Sequence, residues 1–191
     1  MKFFTSDWHH EHKKIVEFTN RGVDTTQERH TEWLVETWNR QVKPGDLVYH
    51  LGDWSFSKDY RSILDFTTRL NGQKILIKGN HCREDFLDQL KNDRAISAWY
   101  TYKEIMLQGH KVILFHFPIS SWHQQSRGSF HLFGHCHGCH KDTKGRMLDV
   151  GLDSAYNYTQ EHRLFDEDEI VRVMLQQDIY TSDFHRSKGE I

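Results

Sequence analysis

The sequence predicts an α/β chain with α+β character. The expected form is a four-layer αββα sandwich, with two mixed β-sheets flanked by helices and a metal site at the carboxyl ends of the strands. Three observations carry this. The first half alternates strand-like apolar runs with segments of helical period. The second half is a series of strand-like runs with few helices between them. Five short apolar runs stop abruptly at residues able to bind metal. Phe3-Phe4 leads to Asp7 and His9, Leu47-Val48-Tyr49 to Gly52-Asp53, and Ile75-Leu76-Ile77 to Gly79-Asn80-His81. Val112-Ile113-Leu114-Phe115 leads to His116, and Phe130 to Phe133 leads to Gly134-His135-Cys136-His137. A buried strand reads as such a run, and open sheets place ligand sites where their strands end.

Element by element, a strand is expected near 2–6, then a short helical stretch near 12–19. Thr25 opens a helix with Glu28 three residues on, a capping-box pattern, and Trp33, Leu34, Thr37 and Trp38 form its apolar face. Pro44-Gly45 precedes a strand at 46–50. Tyr60, Ile63, Leu64 and Thr67 lie at helical spacing, and Asn71-Gly72 closes that helix before a strand at 74–78. A helix near 83–91 carries Phe86, Leu87 and Leu90. This β-α-β-α-β-α order favours parallel strands. Strands are then expected at 96–102, 104–108, 111–116, 130–134 and 146–150, with a hairpin turn at Gly109-His110. Glu167 to Leu175 reads as a final helix with Ile170, Val171, Val173 and Met174 as its apolar set. The polar tail after about 180 is expected to fray. The absence of repeats and of Pro/Ser linkers makes residues 1–191 one domain in this reading.

The 191 residues can bury a core, and 37% hydrophobic content fits a folded chain. A formal charge of -2 gives no sign of a strongly electrostatic nucleic-acid binder, though it is compatible with a local basic patch. No apolar run approaches a membrane span, and Ser6 and Asp7 interrupt any signal-peptide core, so the cytosol is the expected compartment. Cys82, Cys136 and Cys139 do not make a disulfide framework.

Each donor motif is weak alone. A Gly-Asp after a strand is usually a turn, and a lone His-x-His is usually a surface pair. As an ordered set they differ. Asp7-Trp8-His9, Gly52-Asp53, Gly79-Asn80-His81, His116 and Gly134-His135-Cys136-His137 resemble the motif series of the calcineurin-like metallophosphoesterases, over residues 5 to about 153. The resemblance is to the small bacterial, archaeal and phage members. It implies that Asp7, His9, Asp53 and His137 hold a first metal and that Asp53, Asn80, His116 and His135 hold a second, with Asp53 bridging. A carboxylate can bridge ions about 3.5–4 Å apart. His81 would be the catalytic residue, donating a proton to the leaving oxygen or stabilising its charge. If strand spacing persists, His135 and His137 face the site while Cys136 turns away.

The implied reaction is phosphoester hydrolysis by in-line attack of a metal-bridging hydroxide, on a phosphodiester or nucleotide in preference to a small-metabolite or phosphoprotein monoester. Oxygen and imidazole donors suit Mn²⁺ first, with Fe, Ni or Zn compatible. The chain departs from the family where acids usually follow the second-motif aspartate and third-motif histidine: here stand Trp54-Ser55-Phe56-Ser57 and Cys82. The orienter of His81 is therefore left open. Candidate substrate contacts are Arg21, Trp54, His10 and His12, each with a blander surface or core reading beside it. Asp149 and Asp153 are candidates to support the ligand histidines. Two competing readings are a structural zinc at Cys136-x-x-Cys139, which lacks further closed ligands, and a non-enzymatic metal-binding interaction protein on the same fold, which would be expected to lose ligands.

Overall fold

The computed structural model describes residues 1–19, 21, 27–141 and 143–181. Two mixed sheets face each other. The first has the order β4-β3-β2-β1-β9, from β1 (Lys2–Thr5), β2 (Leu47–His50), β3 (Gln73–Ile77), β4 (Ala98–Tyr100) and β9 (Phe165–Asp166). The second has the order β5-β6-β7-β8, from β5 (Tyr102–Leu107), β6 (His110–Phe115), β7 (Phe130–Phe133) and β8 (Met147–Asp149). β1, β2 and β3 run parallel, as the alternating pattern predicts; β4 joins them parallel to β3, and β9 closes that sheet antiparallel. β6, β7 and β8 are parallel as well, so the donor-bearing ends of β1, β2, β3, β6 and β7 are all carboxyl ends.

Period-two alternation divides the side chains of the first sheet between two cores. Phe3, Val48 and Leu76 turn outward onto α2 (Gln27–Gln41), α3 (Tyr60–Thr68) and α4 (Glu84–Asn92), where they meet Leu34, Trp38, Ile63, Phe66, Leu87 and Leu90. Phe4, Tyr49 and Ile77 turn inward and meet Val112, Leu114, Phe130 and Leu132 of the second sheet. Ile170 and Met174 of α6 (Glu167–Leu175) join that inner core. The outer face of the second sheet, Ile113, Phe133 and Met147, is covered by Trp122 and Ile119 from the segment after β6.

Several expectations shift. The helical stretch near 12–19 is a single turn, α1 (Ile15–Phe18). The capping role of Thr25 and the tail beyond residue 181 lie outside the described residues. The strand expected at 96–102 shortens to β4 and belongs to the first sheet, parallel to β3. The hairpin turn is Gln108-Gly109, because Leu107 pairs with His110 and both turn residues have positive φ (48° and 85°). That conformation favours Asn over Gln at the first position. Gln108→Asn should therefore raise stability by about 0.5 kcal/mol in urea unfolding, with an unchanged denaturant slope. The sequence reading missed α5 (Leu152–Thr159) and β9. Among the described residues no helix is long and apolar enough to cross a membrane.

Candidate metal centre

The chain leaves β1, β2, β3, β6 and β7 with a donor, and after β1, β2 and β7 the backbone strains to present it. Asp7, His9, Asp53, His135 and His137 all have φ between 48° and 69°, the left-handed region that side chains with a Cβ avoid. Such outliers cluster where the surrounding fold over-determines them, typically at functional sites. His135 and His137 do share the site while Cys136 packs against the outer cluster of Ile113, Trp122, Phe133 and Met147. The cause is alternating left-handed backbone beyond the end of β7, not strand geometry.

Two donor groups result: Asp7, His9 and His137, and Asp7, Asp53 and His116. In the first, His9 Nε2 lies 3.2 Å from His137 Nε2 and 3.7 Å from Asp7 Oδ1, and His137 Nε2 lies 3.9 Å from Asp7 Oδ1. Donors bound about 2.1 Å from one ion lie roughly 3–4 Å apart, so this triangle fits a cation. Asp53 Oδ2 stands 3.9 Å from His9 Nε2 and 3.6 Å from His116 Nε2, facing both groups. Asn80 Oδ1 is 2.9 Å from His116 Nε2 and 3.1 Å from His135 Nδ1. All seven residues whose ligand roles the motif resemblance implies are thus brought together.

The protonation pattern tests the fit. His137 Nδ1 donates to Asp153 Oδ2 at 2.7 Å, and His116 Nδ1 donates to the Leu51 carbonyl at 2.7 Å. Both rings therefore present an Nε2 lone pair to the site. The His116 lone pair meets the Asn80 carbonyl oxygen, a contact that a cation or a turned amide satisfies. Asp7 Oδ1 is buried without a hydrogen-bond partner among the described residues. Burial, together with the charges of Asp149 and Asp53, pushes the Asp7 carboxyl up to about 8. Burial also holds the His9 ring far below its ordinary value. For His137 burial pulls downward, but the Asp153 hydrogen bond and the Asp7 charge outweigh it and the net shift is upward. A carboxylate oxygen buried without a partner beside a His9 ring held neutral is what a divalent cation would reconcile.

Close backbone approach makes this packing possible. A Cβ at Gly79 would collide with the Asp53 carboxylate and lie 2.5 Å from its backbone nitrogen, and one at Gly134 would collide with Ser6 Oγ. These two glycines clear space. Gly52, at φ 110°, supplies the turn. Gly79→Ala should displace Asp53, lowering metal affinity by about tenfold to a hundredfold in isothermal titration while the protein stays folded.

The candidate substrate contacts fare differently. Arg21 is buried and all its donors are taken: Nε and Nη2 grip Asp153 at 2.9 Å each, Nη2 donates to the Asp7 carbonyl at 2.7 Å, and Nη1 lies 2.9 Å from the Trp8 carbonyl and 3.3 Å from His30 Nε2. It props the site from behind and has no donor left for a phosphate. Trp54 is a core residue whose indole N–H donates to Thr67 Oγ1 at 3.0 Å. His10 is buried too, stacked on Phe66 at 4.2 Å with Nδ1 3.0 Å from Ser55 Oγ. Only His12, half-buried and edge-on to Phe56 at 4.1 Å, stays beside the donors. Asp149 caps the Gly138 and Gly151 amides, whereas Asp153 holds His137 directly. Among the described residues, neither donor group includes Cys136 or Cys139.

His81 is exposed at the rim. Its amide donates to Asp53 Oδ1 at 2.9 Å and its ring packs against Phe56, 4.4 Å between centroids. Phe56, which the sequence marked only as a missing acid, also contacts His9 (5.4 Å). It is the site residue that sequence reasoning missed.

No family model matches the chain. It is 30% identical over 141 residues to the uncharacterised protein MJ1445 of Methanocaldococcus jannaschii, covering 73% of this chain and 71% of that one. It is 31% identical over 182 residues to the Gene 66 protein of Mycobacterium phage D29, covering 81% and 89%. Among solved structures, a protein of unknown function from Aquifex aeolicus, AQ665, shares the fold at TM-score 0.66 and 22% identity, covering 91% of this chain and 98% of that one. A more distant overlap is with an archaeal phosphodiesterase, TM-score 0.49 at 16% identity, covering 86% and 96%. The ordered donor series, gathered on two facing mixed sheets, keeps its likeness to the calcineurin-like motif series, and the chain belongs to one family with the archaeal MJ1445 protein and the phage D29 Gene 66 protein.

Proposed function

We propose that the protein is a phosphoesterase dependent on two divalent cations, Mn²⁺ foremost, that hydrolyses phosphodiester or nucleotide substrates. The observation that carries this reading is the position of Asp53 Oδ2 between His9 and His116, one carboxylate oxygen facing two donor groups. Asp7, His9, Asp53 and His137 would hold one cation, and Asp53, Asn80, His116 and His135 the other. Bound there, the cations supply charge neutralisation for phosphoryl oxygens and acidification of water.

The chain's own groups do the rest. Asp153 and the Leu51 carbonyl fix the tautomers of His137 and His116. Asp53 sets the loop of His81 through its amide, and Phe56 sets the ring plane. Among the described residues the His81 ring nitrogens have no hydrogen-bond partner, so they remain available to a leaving oxygen at the exposed rim. Exposure of Asn80, His81 and His135 favours an accessible diester or nucleotide over a deeply enclosed metabolite.

The test is a panel in Mn²⁺: p-nitrophenyl phosphate, bis-p-nitrophenyl phosphate, cyclic nucleotides and short DNA or RNA. Diester or nucleotide turnover is expected. His81→Ala should slow it by about 10²–10⁴ with metal content unchanged. A metal-loaded protein that hydrolyses nothing on this panel would overturn the proposal.

A further inference from the structure

We infer that the cleft between the loop after β2 and α4 binds a planar aromatic group of the phosphoester, a nucleobase or aryl ring, on the leaving-group side of His81. This rests on the reading of the site as a phosphoesterase and names the substrate class it takes.

The cleft encloses about 190 Å³ and has His81 and Phe56 in its wall. Phe56 is shared: its ring touches His9, His12 and His81 at 5.4, 4.1 and 4.4 Å, so the donors and the cleft meet across one aromatic ring. Ile63, Leu87 and Leu90, all buried, make the lining largely apolar, and Phe86 adds a second aromatic ring. Apolar concavities with aromatic walls beside a few polar groups are the usual form of ligand sites. One further feature favours an anionic ester. Lys58, at the rim, makes no ion pair with the described residues. The Arg83 guanidinium lies over the Phe86 ring, 4.0 Å to its centroid, but it is paired with the Asp85 carboxylate and acts as a lid on that ring instead of a free charge. A planar ring would meet the aromatic side chains of the cleft over more area than an aliphatic group. Trp54 also lines the cleft, but it is 2% exposed with its N–H bonded to Thr67, so the aromatic contact that sequence reasoning placed on it falls mainly to Phe56 and Phe86.

The experiment compares ligands that no esterase can hydrolyse. Phenylphosphonate and methylphosphonate share a headgroup and differ only in the ring; adenosine 5′-phosphonate adds the nucleobase arm. Binding to the metal-loaded protein is measured by isothermal titration. The ring is expected to tighten binding about tenfold over methyl, and Phe86→Ala to remove most of that gain while leaving methylphosphonate unaffected. Phe86→Leu, which keeps apolar volume, guards against misfolding and should lose part of the discrimination. A stronger effect for adenosine than for phenyl assigns a nucleobase, and the reverse an aryl ring. Equal affinities for phenyl and methyl, or discrimination unchanged in Phe86→Ala, would overturn the inference. Turnover without aromatic preference sinks this inference alone; aromatic binding without turnover of any phosphoester sinks the proposed activity instead.

Discussion

Asp53→Asn is expected to lower turnover at least about a hundredfold while leaving the metal-free fold no less stable. The substitution is nearly isosteric, and Oδ1 can still accept the His81 amide that Asp53 receives at 2.9 Å. What disappears is the charge on the oxygen facing both His9 and His116. Weakening of both cation positions follows from one atom. In the metal-free state the same charge is a burden. Asp53 lies buried near Asp7, and its charge is one of the influences that raise the Asp7 carboxyl, after burial itself. Turnover and metal content should therefore fall while the melting temperature of the stripped protein holds or rises. Wild-type-like turnover would remove the basis for a shared-carboxylate site.

Arg21→Met is expected to be the most destabilising single change near the site, by about 3–5 kcal/mol. Every donor of the guanidinium has a partner, two of them the oxygens of buried Asp153. Deleting the cation leaves the buried Asp153 with His137 as its remaining close partner and frees the Asp7 and Trp8 carbonyls. In a chain of this size that corresponds to a melting temperature lower by roughly 10 °C. Arg21→Lys should recover little, since an ammonium cannot grip two oxygens and two carbonyls at once. The pH dependence has a definite sign. Burial opposes the Asp153 charge, but Arg21 and His137 hold the carboxyl well below its ordinary value. This contribution is full above about pH 4 and declines as pH falls further, so the wild-type advantage over Arg21→Met should narrow in acid. Thermal unfolding of the stripped proteins across pH checks both statements. An unchanged melting temperature in Arg21→Met would show the ion pair contributes nothing.

The sequence made the strand-end donors legible because two independent signals coincide there: an apolar run of strand length and an abrupt donor. The parallel order of β1 to β3 followed from the alternating pattern, and α6 followed from its helical spacing. Other features had no such signal. Arg21 sits in no periodic segment, and its partner Asp153 is 132 residues away. β4 is three residues long, and nothing local says which sheet it joins. The left-handed backbone of five donors contradicts their own preferences, which is where local reasoning fails when tertiary structure imposes the conformation. Phe56 is silent for another reason: its importance comes from the three histidine rings around it.

The hydrogen bond from His135 to Asp7 spans 128 residues, and the one from Arg21 to Asp153 spans 132. Loop-closure entropy makes contacts of such separation late arrivals on a folding pathway. The donor cluster is therefore expected to come together late, as the two sheets dock. Interactions absent from the transition state act on the unfolding rate and leave the folding rate nearly untouched. Whatever occupies this cluster will lengthen the lifetime of the native state and will do little to speed the chain toward it.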